Sequence, residues 1–375
     1  SLEENDAALA VNITVEGPKR EYFANADFRH ALSYAIDRDA INDIGFLGLG
    51  KPRNLLPKPN NMYYPGPELE QKYMNLDVAK ANEILDGIMP DKDADGYRLM
   101  SNGDRMSIDI WNRESFAPFP EIAEMIINNW KAIGIHGNNR SDMKEALDRA
   151  YKANTNDMFL YHHIASGMPY SYPDKIAPVM PGISNSSMMA NGKWYASGGK
   201  EGLAPTDPFI IELQENWKTA ATLPDAERAK AGQRFYEILA EQQYFINLIA
   251  HSPATQGTVI VSTGLGNVPE SAANSWPHRT PSTAFPEQFY WKDASRRTSV
   301  GPVTSSNWVT SSWSTATPRP TATPVPIQTV EQAYNIAWQL AVDDGRYEEA
   351  ISELATCIIK EPWYKNYACY SLRGW

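Results

Sequence analysis

Apolar spacing and capping residues mark four candidate helices in the first 292 residues of the chain. After Asn25, placed as an N-cap, Phe28, Ala31, Leu32, Ala35 and Ile36 fall on one helix face. Pro120 stands at the start of a second helix, with Ile122, Met125, Ile126, Trp130 and Ile133 apolar and Gly134 ending it. Asp207-Pro208 opens a third, and Pro224 begins a fourth that runs to about Gln243. Between them lie short β-rich runs at residues 107–111, 158–162, 245–250 and 258–261. Helices alternating with short strands predict an α/β fold.

The pattern changes twice further on. Residues 1–292 read as one globular region. Residues 293–328 are mostly Ser, Thr, Pro and Val, and repeated proline fixes φ and removes donors, so an extended linker is expected. Residues 329–375 return to helical spacing. Tyr334, Ala337, Trp338 and Ala341 mark one helix, Asp343-Asp344-Gly345 a turn, and Tyr347, Ala350, Ile351, Leu354 and Ile358 a second helix stopped by Pro362. Together they predict a short all-α hairpin.

Composition narrows the function. The net charge of −11 over 375 residues, with no basic stripe, excludes the electrostatic footprint of a nucleic-acid binder. The two cysteines, Cys357 and Cys369, leave the globular region without a disulfide or thiolate metal site. No Gly-x-Ser-x-Gly, His-Glu-x-x-His or phosphate loop is present, and Gly264-Leu-Gly266 lacks a third glycine, so no enzyme is expected. Eleven Trp and 19 Tyr suit either core packing or a pocket for a polar organic solute, because each ring joins a flat apolar face to a polar edge. There is no initiator Met and no apolar run of signal or membrane-span length, so either the start was removed by processing or, the preferred reading, the chain is a fragment.

Two motifs suggest metals. Asp91, Asp93 and Asp95, followed by Gly96, have the alternation of a calcium loop, but Asn102 stands where a bidentate Glu belongs. Calcium and a solvated acidic turn are the two readings. His162-His163 is the other, but neighbours on a strand point to opposite faces, so the pair suits a cleft lining or packing better than one ion.

The stretch Asp27-Phe-Arg-His-Ala-Leu-Ser-Tyr-Ala-Ile-Asp-Arg-Asp-Ala-Ile41 resembles a helix typical of the family 5 extracellular solute-binding proteins, the dipeptide and oligopeptide receptors of ABC importers. Its apolar stripe should pack inward, with Arg29, Asp37 and Arg38 at the edge for ion pairing. Further pieces follow in the family's order over roughly residues 10–292: the helix at 76–85, the acidic turn and hairpin at 91–110, the helix and strand at 121–135, Trp194–Gly202, the 229–243 helix, Gly266–Pro269 and Pro286–Trp291.

The resemblance implies a periplasmic-binding-protein-like (class II) lobe with part of a second lobe, the first half of the receptor preceding Ser1. It implies a receptor outside the cytoplasm, attached to a membrane only through that missing part. Such a receptor closes about a hinge on a small polar solute, peptide-like or oligosaccharide-like, and delivers it to an importer permease. No cofactor is implied. Peptide-binding members hold the ligand's α-amino group with an Asp after the central strand. Here the usual Trp-x-x-Asp is absent, and His162 and His163 stand where acidic or aromatic residues are expected. Asp174 is the substitute, and Tyr170, Tyr172, Trp194 and Tyr195 are stacking candidates or core residues.

The C-terminal hairpin resembles one tetratricopeptide repeat: Gly345-Arg-Tyr-Glu-Glu-Ala-Ile351 matches its turn and second helix, although Trp338 sits where a small residue is normal. One repeat cannot bury its faces alone. The competing expectations are therefore an interaction protein that recruits a partner through this segment, or a joining of two unrelated genes.

Overall fold

Each predicted helix begins where the sequence supplies a cap or a proline. The computed structural model describes residues 5–113, 117–163, 167, 169–170, 173–181, 187–220, 222–252, 261–269, 288–293 and 295. In chain order they form β1 (Ala7–Val11), α1 (Arg20–Ala24), α2 (Ala26–Tyr34), α3 (Arg38–Phe46), β2 (Lys51–Pro52), α4 (Val78–Ile88), β3 (Ser107–Asn112), α5 (Phe119–Lys131), β4 (His136–Ser141), α6 (Lys144–Lys152) and β5 (Met158–Tyr161). Then come α7 (Met189–Ala196), α8 (Pro208–Ala220), α9 (Asp225–Gln242), β6 (Phe245–Ala250), β7 (Leu265–Gly266) and β8 (Tyr290–Trp291). The expected strand at 258–261 lies, but for its last residue, outside the described residues, as do the linker from residue 296 on and the C-terminal hairpin.

The Asn25 side chain accepts from Asp27 N and starts α2. That helix stops at Tyr34, two residues before the apolar stripe does, because Asp37 caps a new helix by accepting from Ala40 N. Asp77 caps α4 in the same way through Lys80 N. Proline opens α5 and α8, and Pro224 is the N-cap of α9. The chain leaves α5 through Gly134 at φ +73°, a left-handed position where a Cβ would come within 2.8 Å of Gly96 O.

The expectation that Arg29 and Arg38 lie at the edge for ion pairing is overturned. Both are buried, at 0% and 3% exposure, and they donate to backbone carbonyls. Arg29 reaches Gln242 O and Phe23 O. Arg38 reaches Asn247 O, Ser33 O and Met74 O. The guanidinium fork satisfies main-chain groups that helix packing would otherwise orphan. Burial pulls both pKa values down, to about 10 for Arg29 and about 9 for Arg38.

The six-stranded sheet runs β2-β6-β1-β5-β3-β4. Strand β3 is parallel to β4 and β5, while β1 lies antiparallel between β5 and β6. One face carries a core built from α2, α3 and α5, with Trp130 fully buried. The other face carries a second core, with Leu55, Leu56 and residues 176–179 packed against α8 and α9. A separate two-stranded ribbon pairs β7 with β8. Among the described residues, no helix is long and apolar enough to cross a membrane.

Candidate functional site

The sheet's strand directions bring one edge together. Strands β3, β4, β5 and β6 all end at it, and β1 and β2 begin there. The chain leaving β3 enters α5 on the first core, whereas the chain leaving β5 packs through Ile176, Ala177 and Val179 into the second. Adjacent parallel strands whose connections diverge to opposite faces leave a crevice at their carboxyl ends, the usual ligand position in open α/β sheets. By that rule the ends of β3 and β5 are where such a crevice is expected in this sheet.

Tyr161 is central to it. Its ring stacks on Phe159 (5.2 Å, 23°) and meets Phe119 at the start of α5 (5.9 Å). The His162 ring stands against it at 4.1 Å and 61°. Just past β3, Arg113 donates through Nη2 to Tyr161 Oη at 3.1 Å, its guanidinium 5.7 Å from the ring centre. His163 turns away, its ring edge-on to Phe245 at 4.7 Å, while its backbone N–H donates to Asn5 O. The two histidines thus have different surroundings, as alternation along an extended chain requires.

Histidine charge is suppressed at two places along this edge. His162 is pulled down to about 3, first by burial and then by His163, Lys175 and Arg113. Next to β6, His251 is pulled down to about 4 by burial and by Arg53, Lys58 and Lys51. Its Nε2 lies 3.2 Å from Arg53 Nη1, and Arg53 donates through Nη2 to Glu70 Oε1 at 2.9 Å. Neutral imidazoles beside arginine and tyrosine make this edge polar and able to hydrogen-bond.

The stacking candidates separate from this crevice. Tyr170 donates to Asn216 Oδ1 (2.7 Å) and packs edge-on against Tyr63 and Phe235 in the second core. Tyr195 is edge-on to Trp217 at 6.3 Å, and Trp194 is half-buried near the end of the same helix, α7. No described contact brings Tyr170, Trp194 or Tyr195 to His162. Asp174 sits in the 3-10 turn Pro173–Lys175, and its side chain, like Tyr172, lies outside the described residues.

The acidic turn is organised from within. Asp93 Oδ1 accepts from the N–H groups of Asp95 and Tyr97, and Arg105 binds Asp93 Oδ2 and Asp95 Oδ2, each at 2.5 Å. Arg105 supplies there the positive charge that the calcium reading assigned to a metal ion. Among the described residues, no group of three or more His, Cys, Asp or Glu is placed to hold a metal. Sequence reasoning missed Arg113 and Tyr161, although both lie at the ends of strands it located. The rule that residues at the carboxyl ends of parallel strands face the ligand was the available signal.

Residues 4–177 match the family model for bacterial extracellular solute-binding proteins, family 5 Middle. The match takes in the ends of β3 and β5 that form the crevice. Solved structures agree on the fold, that of periplasmic binding proteins. The oligopeptide-binding protein OppA superposes with a TM-score of 0.67 at 23% identity, over 78% of this chain and 47% of that one. AppA from Bacillus subtilis, in complex with a nonapeptide, gives 0.52 at 18%, over 78% and 51%. MelB from Agrobacterium fabrum C58, in complex with stachyose, gives 0.53 at 19%, over 67% and 38%. The chain therefore spans about half the length of OppA and AppA and less of MelB. No curated protein matches it.

Proposed function

We propose that this chain is the ligand-holding lobe of an extracytoplasmic solute receptor, which captures a polar organic solute and presents it to an ABC importer. The observation that carries this reading is the meeting of Arg113, Tyr161 and His162 at the carboxyl ends of β3 and β5, where the sheet topology places a crevice. Flat aromatic surface beside a hydrogen-bonding cation and a neutral imidazole suits an oligomer with repeated polar groups. The nonapeptide in AppA and the stachyose in MelB support peptide-like and oligosaccharide-like solutes as the two classes to try. Capture proceeds by hinge closure of a second lobe, so that binding energy selects the closed form; no chemistry is done on the ligand.

The test is a thermal-shift and calorimetric screen of the chain against short peptides and neutral oligosaccharides. A solute that binds the fold raises the midpoint in proportion to RT ln(1 + [L]/Kd). Binding that disappears in Tyr161→Ala, with the fold intact by circular dichroism, supports the crevice. Binding unaffected by Tyr161→Ala and His162→Ala places the ligand elsewhere and refutes the reading.

A further inference from the structure

The two lateral edges of the six-stranded sheet are built differently. At one, β2 is two residues long and carries Pro52, which has no N–H to offer a further strand. At the other, β4 runs from His136 to Ser141 in unbroken register with β3 and contains no proline, lysine or bulge. His136 N donates to Met106 O and Asp142 N to Asn112 O, so the even-numbered residues turn their main-chain groups toward β3. By alternation the N–H and C=O groups of Gly137, Asn139 and Ser141 point out of the sheet. Among the described residues none bonds to them. Side chains do not shield them either. Arg140 lies across the sheet face on Asp109, and Asn139 reaches back to Pro120 O on α5. Met143, 75% exposed, continues past this edge in an extended conformation.

We infer that β4 pairs with β4 of a second copy of this chain, antiparallel about a twofold axis through Asn139. In that register every outward residue meets an outward residue. Gly137 faces the partner's Ser141 and Asn139 faces its own counterpart, each pair exchanging both main-chain bonds. The same register sets His136 opposite the partner's Asp142 in a non-hydrogen-bonded pair, where side chains stand closest. His136 spends Nδ1 on Ser107 Oγ, which leaves Nε2 for a carboxylate. Asp142 is exposed, and one of its carboxylate oxygens accepts from Met143 N. By symmetry this complement occurs twice, as a self-complementary interface requires. An unrelated strand would have no reason to match it. The two sheets become one, with the β3 and β5 ends of the two copies pointing in opposite directions, so dimerisation leaves those ends open. The inference is independent of any solute bound there.

Sedimentation velocity of the full chain from micromolar to millimolar concentration tests it. The mass should rise toward twice that of the monomer. Ser141→Pro removes an outward donor and leaves the bonds between β3 and β4 in place, because the Ser141 N–H points away from β3. That variant should stay monomeric over the same range. Asp142→Lys should weaken the dimer by about threefold or more, since it removes both symmetry-related charge pairs. Circular dichroism checks that each variant is folded. A chain that is monomeric throughout, an assembly larger than a dimer, or a dimer that either variant leaves unchanged overturns the inference.

Discussion

Lys19 and Asp157 form an ion pair of which only one partner is buried: Nζ lies 2.5 Å from Oδ2, with 27% of the lysine side chain exposed against 6% of the aspartate. The same Oδ2 accepts from Asp109 N at 2.9 Å, tying the start of β5 to β3. Burial pushes the Asp157 carboxyl up, opposed by Lys19 and by the Asp109 N–H. Lys19 and the Asp109 N–H thus offset part of the cost of burying this carboxylate.

Lys19→Met should destabilise the fold by about 2–3 kcal/mol at pH 7, below the usual figure for breaking a fully buried pair because Lys19 is partly solvated. Asp157→Asn should cost less, about 1 kcal/mol, since a neutral amide leaves no buried charge. The sign with pH follows from a folded pKa raised above the unfolded value. Protonation is easier in the folded state, so the group's contribution is fully present below about pH 4 and is lost as pH rises through the folded value. Denaturant titrations of Lys19→Met at pH 4 and pH 7 check this. A cost that does not shrink at the lower pH would contradict it.

The acidic turn makes a prediction about calcium. Arg105 already binds Asp93 and Asp95, and Asp93 is held below the usual carboxylate range by the Tyr97 and Asp95 N–H groups and by that guanidinium. Millimolar calcium should leave the thermal midpoint where chelator leaves it, because a site without a free carboxylate cluster gains no linkage stabilisation. A midpoint that climbs with calcium concentration would favour the metal reading over the solvated turn.

The elements legible in the sequence were those with a period or a cap. Strand β6 was placed at 245–250, as found, and α2, α5, α8 and α9 were signalled by Asn25, Pro120, Pro208 and Pro224. Strand β1 was not read, because Ala-Ala-Leu-Ala-Val is buried on both faces and so shows no alternation. Strand β4, His-Gly-Asn-Asn-Arg-Ser, escaped for the opposite reason. It is an edge strand whose side chains are polar, with Asn138 and Arg140 bonded across to Asp109 on β3. His162 was named through its place after a recognisable strand, and its ring stands against Tyr161 there. Tyr170, Trp194 and Tyr195 were chosen by ring type, and an aromatic ring fits a core as well as a cleft.

Tyr170 separates those two roles experimentally. Its hydroxyl is satisfied by Asn216 and its ring is enclosed by Tyr63 and Phe235, so Tyr170→Phe should lower stability by about 1 kcal/mol through one lost hydrogen bond. Solute affinity should stay within about twofold of the parent, whereas Tyr161→Ala should weaken it by about tenfold or more. Urea midpoints and calorimetric titrations of the two variants make the comparison. A large loss of affinity in Tyr170→Phe would return this residue to the binding surface.

His162 sets the acid limit of the fold. Its folded pKa, pulled down to about 3, lies well below the value near 6.5 expected in the unfolded chain. The unfolded state therefore takes up a proton as pH falls past about 6.5 while the folded state does not, and stability drains away down to the folded value. His251, pulled down to about 4, acts with the same sign. The groups that hold His162 neutral are its burial, His163, Lys175 and Arg113. Each histidine should remove on the order of a few kcal/mol between neutral pH and pH 4. His162→Gln, which keeps a neutral polar side chain but cannot titrate, should lose distinctly less stability over that range, although it is less stable than the parent at pH 7 from imperfect packing. Urea unfolding of parent and variant at pH 7 and pH 4.5 reads the difference. Parallel losses in the two proteins would mean that His162 charges without penalty, and that the edge of β5 is wetter than its 8% exposure implies.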